Sequence, residues 1–195
     1  FLAIHADVSD MKALPVIMEK TLEHYGRLDI LVNNAGICPR CSALEYTEEM
    51  WDQIIQLNQK SVFFLSQLAA RQFVKQKSRG KIINLASMMS FLGGFNTAAY
   101  TASKSAVAGL TRVCASEWGA LGINVNALAP GWIKTGLSAA LVADTARYES
   151  VKARIPMGDW GEPDVFKGVA VLLASSASDY INGAIIPVDG GYLTK

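Results

Sequence analysis

Tyr100 and Lys104 stand four residues apart, a spacing that puts both side chains on one face of a helix, one turn from each other. A phenol with an ordinary pKa near 10 is a poor proton donor or acceptor at neutral pH, and bringing it to 7 requires roughly 4 kcal/mol. An ammonium about 5 Å away, at an effective dielectric of about 20, favours the phenolate by roughly 3.3 kcal/mol, or about 2.4 pKa units. Lys104 could therefore supply most of the shift, and a cationic ring nearby would add to it. Ser87 lies thirteen residues before Tyr100, where a hydroxyl could hold the oxygen that the phenol protonates. The chemistry such a trio could perform is proton transfer at an alcohol or carbonyl oxygen. Alone, a Tyr-x-x-x-Lys pair is usually a surface or packing pair, so the elements that carry the three residues decide the matter.

Those elements alternate. Phe1 to Ala6 reads as a strand and Leu14 to His24 as a helix with Val16, Ile17, Thr21 and Leu22 on its stripe. Leu28 to Val32 has the branched profile of a strand buried on both faces and runs into Asn33-Asn34-Ala35-Gly36. Thr47, followed by Glu48 and Glu49, caps a long helix to about Lys77. Lys81 to Leu85 is a strand, Ala98 to Leu121 a helix, and Ile123 to Leu128 a strand ending at Pro130-Gly131. Pro163 opens a helix to about Ala174, and Ile185 to Val188 is the last strand. Alternation of this kind predicts an α/β fold, a Rossmann-like doubly wound parallel sheet with helices on both faces, formed as a single domain over residues 1–195. Ligands of such sheets bind beyond the carboxyl ends of the strands, which selects Asp7, Asn33 to Gly36, Ser87 and Pro130 to Thr135.

Composition narrows the partners. The 195 residues are 51% hydrophobic and 18% charged, below the usual charged share of about 25%, which predicts extensive two-sided burial or a subunit interface. Eighteen basic against seventeen acidic residues leave a net charge of +1, with no surplus to hold nucleic acid or an anionic membrane. Apolar runs such as Ser61 to Ala70 stop short of the roughly 20 residues of a membrane span. Three cysteines do not make a disulfide framework, so a reducing cytoplasm is expected. Cys38-Pro39-Arg40-Cys41 has no second pair to complete a zinc site, His5 and His24 are isolated, and no metal is expected.

Taken together, Asn33-Asn34-Ala35-Gly36, Asn58, Ser87, Tyr100-Thr101-Ala102-Ser103-Lys104, Pro130-Gly131 and Val188-Asp189-Gly190-Gly191 resemble the short-chain dehydrogenases/reductases over the entire chain. Lys81 to Gly94, Tyr100 to Ser105 and Ala174 to Gly191 look most like the subgroup acting on 2-deoxy-D-gluconate and 2-dehydro-3-deoxy-D-gluconate. The resemblance implies a catalytic set of Asn58, Ser87, Tyr100 and Lys104, with Asn58 holding a relay water through its main chain. It also implies NAD or NADP as cofactor, bound by Asp7, Val8, Asn33, Ala35, Gly36, Tyr100, Lys104, Pro130, Gly131, Ile133 and Thr135. A small-molecule substrate and a homo-oligomer follow from the same likeness, with Phe63, Phe64, Leu68, Val107, Leu110 and Trp118 supplying a dimer or tetramer contact. The expected function is interconversion of a secondary alcohol and a ketone on a sugar acid, or else reduction of a 3-oxoacyl thioester. Arg147 and Arg154 are possible partners for a carboxylate.

The family's Gly-rich phosphate loop is not among these residues, for no Gly-x-Gly occurs in them, and the chain does not open with Met. The family order would leave the first segment separated from the rest of the sheet by two strands that this chain does not contain, with Leu28 to Val32 as an apolar edge. The expectation is an N-terminally truncated chain that aggregates or binds no dinucleotide when alone, and a non-catalytic remnant associating with longer subunits is the reading from another functional class.

Overall fold

A computed structural model describes residues 1–194. Four parallel strands form one sheet in the order β1-β2-β3-β4: β1 Ile30–Asn33, β2 Gly80–Leu85, β3 Ile123–Pro130 and β4 Ile185–Val188. Each crossover carries a helix. α1 spans Ala13–Tyr25, α2 Glu48–Ile55, α3 Ser61–Lys75, α4 Ala98–Trp118, α5 Ala139–Ala143, α6 Thr145–Lys152 and α7 Lys167–Ala174.

Period-two alternation sorts the strands' side chains between two cores. Ile82 and Val125 pack under α3 and α4 with Phe73 and Cys114, and Ala127 and Ala129 do so with Val62 and Val107. Ile83 and Leu128 face the opposite way, onto Leu173 of α7. Helices therefore cover both faces, as the alternation predicts. β2 and β3 are buried nearly throughout, which is why their sequences are continuous apolar runs.

Several local expectations are corrected. Phe1 to Ala6 forms no strand: the segment has no pairing partner, and Leu2 donates its N–H to the Tyr25 hydroxyl instead (2.9 Å). β1 is not buried on both faces, because it pairs only with β2; Ile30 is 40% and Val32 52% exposed. The apolar edge expected there is present. On α1 the buried residue is Leu14, while Val16 of the predicted stripe is exposed. Val107 is fully buried within the chain and is not free to face another subunit.

The long helix after Thr47 is not uniform. Thr47 caps it as expected, accepting from the Met50 N–H (3.3 Å), but Gln56–Lys60 forms a π turn between α2 and α3, with Asn58 fully buried at its centre. One extra residue in a turn breaks the regular ladder and is tolerated where side-chain contacts fix it. Here Asn58 supplies them. Its amide donates to the Ile37 carbonyl (2.8 Å) and to Ser103 Oγ (3.2 Å), and its Oδ1 accepts from the Ile37 N–H (2.9 Å).

Candidate active site

The carboxyl ends of β1, β2 and β3 open into a cavity of about 580 Å³, within the usual range of small-molecule sites. Ser87, Tyr100 and Lys104 all line it. Ser87 sits just beyond β2 in extended backbone and caps a short 3₁₀ turn, Met88–Ser90, its Oγ accepting from the Met89 N–H (3.1 Å). That bond occupies an acceptor site of the hydroxyl and leaves its proton free to donate. The turn is held against α4 by Ser90 Oγ, which donates to the Lys104 carbonyl (2.6 Å). Strand end and helix are thereby fixed to each other.

Lys104 is 4% exposed; its Nζ donates to the Leu85 carbonyl (2.6 Å) and stands 5.8 Å from the centre of the Tyr100 ring. Burial pushes this ammonium down to about 8, so at neutral pH it still carries its charge. Burial pushes the Tyr100 phenol up to about 12, outweighing the hydrogen-bonding reach of Ser87 and the charge of Arg40, both of which pull it down. The expectation that Lys104 draws the phenol toward neutrality is therefore not met by the protein's own side chains. A Coulomb sum taken in isolation omits the desolvation that dominates here.

Other expected residues divide into two groups. Gly36, Pro130, Gly131, Ile133 and Thr135 line the same cavity. At Gly36 a Cβ would crowd Asn58 Oδ1 at 3.3 Å and Lys104 Nζ at 3.6 Å, so the glycine lets the loop pass over these two side chains. At Gly131 a Cβ would fall 2.5 Å from Asp189 Cβ, so a glycine is needed there for Asp189 to lie this close.

Asn33, Ala35, Asp7, Val8 and Asn58 do not line the cavity. The Asn33 amide points beneath the sheet, donating to Asn84 Oδ1 (2.8 Å) and Ser66 Oγ (2.9 Å). Asn84 in turn donates to Thr111 Oγ1 (3.0 Å). Asn33 thus ties β1 to β2 and α3, and the neighbouring Asn34 takes the cavity position. Alternation along β1, with Leu31 and Asn33 on one face, carries the signal for this swap. Asp7 bends back on itself, its carboxylate accepting from the Ser9 N–H (2.8 Å). Asn58 acts from behind, clamping Ile37 by both its main-chain groups.

Cys38 and Arg40, which the sequence reading weighed only as part of an incomplete zinc motif in a loop after Gly36 and did not name as site residues, line the cavity from that loop. A main-chain bond from Cys41 N–H to the Asn96 carbonyl (3.0 Å) straps this loop to the start of α4. Arg154, offered for a carboxylate, lies 4.7 Å above the Tyr192 ring, and neither it nor Arg147 reaches the cavity lining. Among the described residues no cluster of His, Cys, Asp or Glu could hold a metal ion, and no helix is long and apolar enough to cross a membrane.

A family model described as "Enoyl-(Acyl carrier protein) reductase" matches residues 1–193. The chain belongs to the short-chain dehydrogenase/reductase family. It is 53% identical over its entire length to a 2-dehydro-3-deoxy-D-gluconate 5-dehydrogenase of Dickeya dadantii (strain 3937), of which it spans 77%. It is 40% identical, over 95% of its length and 72% of the relative's, to a gluconate 5-dehydrogenase of Gluconobacter oxydans (strain 621H). Its fold superposes with a TM-score of 0.94 on a gluconate 5-dehydrogenase from Burkholderia cenocepacia J2315 solved in complex with NADP and tartrate, at 37% identity over 97% of this chain and 74% of that one. As a short-chain dehydrogenase/reductase the protein is an oxidoreductase acting on a CH–OH group with a nicotinamide cofactor.

The cavity residues fit the nicotinamide half of such a cofactor. Gly36 and Gly131 line the cavity without side chains, and Ile133 and Thr135 line it beside them.

Proposed function

We propose that the protein is an NADP- or NAD-dependent dehydrogenase that interconverts a secondary alcohol and a ketone on a six-carbon sugar acid of the 2-dehydro-3-deoxy-D-gluconate type. The observation that carries the reading is the convergence of Ser87, Tyr100 and Lys104 on one cavity at the strand ends, in a chain whose relatives are named for sugar acids.

In the reducing direction the substrate's carbonyl oxygen sits between the Ser87 and Tyr100 hydroxyls. Ser87, its acceptor site filled by the Met89 N–H, donates to that oxygen and orients it. Tyr100, a phenol held protonated far above neutral pH, gives its proton to the oxygen as negative charge develops there. The nicotinamide cofactor supplies the hydride and, when oxidised, a positive charge beside the phenol. Lys104 keeps an ammonium under the ring, stabilising the phenolate left behind. The side chain of Asn58 is committed to Ile37 and Ser103; the family resemblance gives its main chain a water, which would carry a proton from solvent in toward Lys104 and so restore the Tyr100 phenol. Gly36, Pro130, Gly131, Ile133 and Thr135 would hold the nicotinamide end, with Asn34 beside them.

We place the enzyme in the cytoplasm as a single-domain subunit of a homo-oligomer. The apolar side chains that α3 and α4 leave exposed, Phe64, Val74 and Val113, support a contact between copies. The test of the function is an assay of NADPH oxidation with 2-dehydro-3-deoxy-D-gluconate beside 3-oxoacyl thioesters. Turnover of the sugar acid at a kcat/KM at least about tenfold above the thioesters is expected; the reverse preference would assign the protein to acyl chemistry.

A further inference from the structure

The motif Cys38-Pro39-Arg40-Cys41 is used neither by the proton-transfer trio nor by a disulfide: both of its cysteines are free and only partly buried. Cys38 lines the cavity with Ser87, Tyr100 and Lys104, and charge on its sulfur reaches both the phenol and the ammonium. The Tyr46 hydroxyl donates to the carbonyl of Pro39, between the two cysteines (3.3 Å), and charge at Cys38 and at Cys41 alike bears on that hydroxyl. One loop therefore carries two thiols around a common point, and one of them opens into the cavity. The third cysteine, Cys114, is 4% exposed and packed in the core with Phe73.

The loop holds this pair unjoined. Ile37 to Arg40 runs without turn or bend, and Cys41 bridges to Thr97 with its N–H on the Asn96 carbonyl (3.0 Å). Three residues of extended chain set their end Cα atoms up to about 10 Å apart, whereas a disulfide needs roughly 4.4–6.8 Å. Joining the thiols would fold the segment into a turn, for which Pro39 stands at the favoured second position. That turn would pull against the two Asn58–Ile37 bonds at one end and the Cys41–Asn96 strap at the other, and the cavity wall would move with it. Cys38 is not acidified: burial pushes its thiol up, and Arg40 and Lys104 pull it only partly back, so it reacts slowly at neutral pH. Access from the cavity and a second thiol on the same loop are what distinguish it.

We propose that Cys38 is an oxidation site for hydrogen peroxide entering the cavity, that Cys41 is its resolving thiol, and that the disulfide they form shuts the active site reversibly. In the first step the Cys38 thiolate attacks one peroxide oxygen. An S–O bond forms, the O–O bond breaks, and the hydroxide that leaves takes up the thiol's proton as water; sulfur is oxidised to a sulfenic acid and the peroxide is reduced. In the second step the Cys41 sulfur attacks the Cys38 sulfur. The S–S bond forms, the S–O bond breaks, and the departing oxygen leaves as water with the Cys41 proton. Two thiols and one peroxide become one disulfide and two waters, and a dithiol reductant reverses the state. The site does not depend on which alcohol or ketone the enzyme turns over, so it stands apart from the sugar-acid reading.

The test treats the wild type, Cys38→Ser and Cys41→Ser with hydrogen peroxide, maps their thiols by mass spectrometry, and follows NADPH-dependent turnover of 2-dehydro-3-deoxy-D-gluconate, each protein against its own untreated rate. In the wild type a Cys38–Cys41 disulfide within one chain is expected, with Cys114 unmodified and turnover lowered at least about tenfold until dithiothreitol restores it. Cys38→Ser should form no disulfide and resist the treatment. Cys41→Ser should stop at a sulfenic acid on Cys38 that dimedone traps. A wild-type map with the pair unlinked, or with oxidation at Cys114 instead, would overturn the proposal, as would a Cys38→Ser variant that loses turnover as fast as the wild type. A disulfide that leaves turnover unchanged would overturn the shut-off. The map of the wild type decides the site even where a variant does not fold or the sugar acid is not turned over, so failure of the substrate reading and failure of this one are told apart.

Discussion

Two lysines are buried against the same strand, one at each end of it. Lys81, near the start of β2 and 7% exposed, donates to Asn124 Oδ1 (3.0 Å), Ser178 Oγ (3.2 Å) and Asp179 Oδ1 (2.8 Å), so its three protons are all placed. Asp179 also takes Arg79, and these cations hold its carboxyl below the usual range. Lys104, beyond the end of β2, has a single carbonyl and no carboxylate. A buried cation with a matched anion and full hydrogen bonding fastens parts together. One left without an anion is a group whose charge is available to something else. The amino ends of the strands are built to dock the chain's C-terminal segment, and the carboxyl ends are built to act on a ligand.

This contrast can be broken by substitution. The largest effect is expected at Tyr100→Phe, which removes the transferable proton and should lower kcat/KM by about 10³-fold or more, with an unfolding midpoint within a few degrees of the wild type. Substantial residual turnover would mean that the proton comes from elsewhere. Next, Lys104→Met should cost about 10²- to 10³-fold in turnover without destabilising the fold at neutral pH, whereas Lys81→Met should destabilise the fold by about 1–3 kcal/mol and leave turnover per folded molecule unchanged. Denaturant titration and initial rates on the two variants decide it, and equal behaviour of the pair would erase the distinction drawn between the two ends.

Titration sharpens the comparison. The rate of ketone reduction should fall above about pH 8, where Lys104 loses its charge, while Tyr100 stays protonated up to about 12. In the folded protein the Lys104 pKa lies below its ordinary value of 10.5. Between about 8 and 10.5 the unfolded chain thus holds a proton that the folded one has released, and this group's contribution to stability rises with pH. The unfolding free energy of the wild type relative to Lys104→Met should increase from pH 8 to pH 10. A flat difference would mean that the ammonium is not desolvated. The smallest effect concerns neither end: Phe64→Glu, on the exposed face of α3, should shift size-exclusion elution toward smaller species with the monomer fold intact.

The sheet order and the covering of both faces were legible because β2 and β3 are continuous apolar runs separated by amphipathic helices. The convergence of Ser87, Tyr100 and Lys104 on one cavity was legible from spacing and resemblance. Three things were not. Phe1 to Ala6 has a strand's composition, but a ladder needs a partner, which local composition does not reveal. The direction of Tyr100's shift depends on how deeply the ring is buried, a tertiary quantity. The place of Arg40 in the cavity lining was hidden because it comes from a loop strapped to α4 and clamped by a residue 18 positions further along the chain, Asn58.

The π turn between α2 and α3 has a bearing on how the gene can change. A turn with one residue too many leaves the helix before it rolled by about 100° relative to the helix after it. Deleting any single residue of Gln56–Lys60 would straighten the ladder and improve its local hydrogen bonding, yet it would swing Trp51 and Ile54 round the axis and pull Asn58 off the loop that carries Arg40. Point substitutions along this helix can be absorbed singly, whereas a loss of three nucleotides there would re-aim every side chain upstream of the lesion at once.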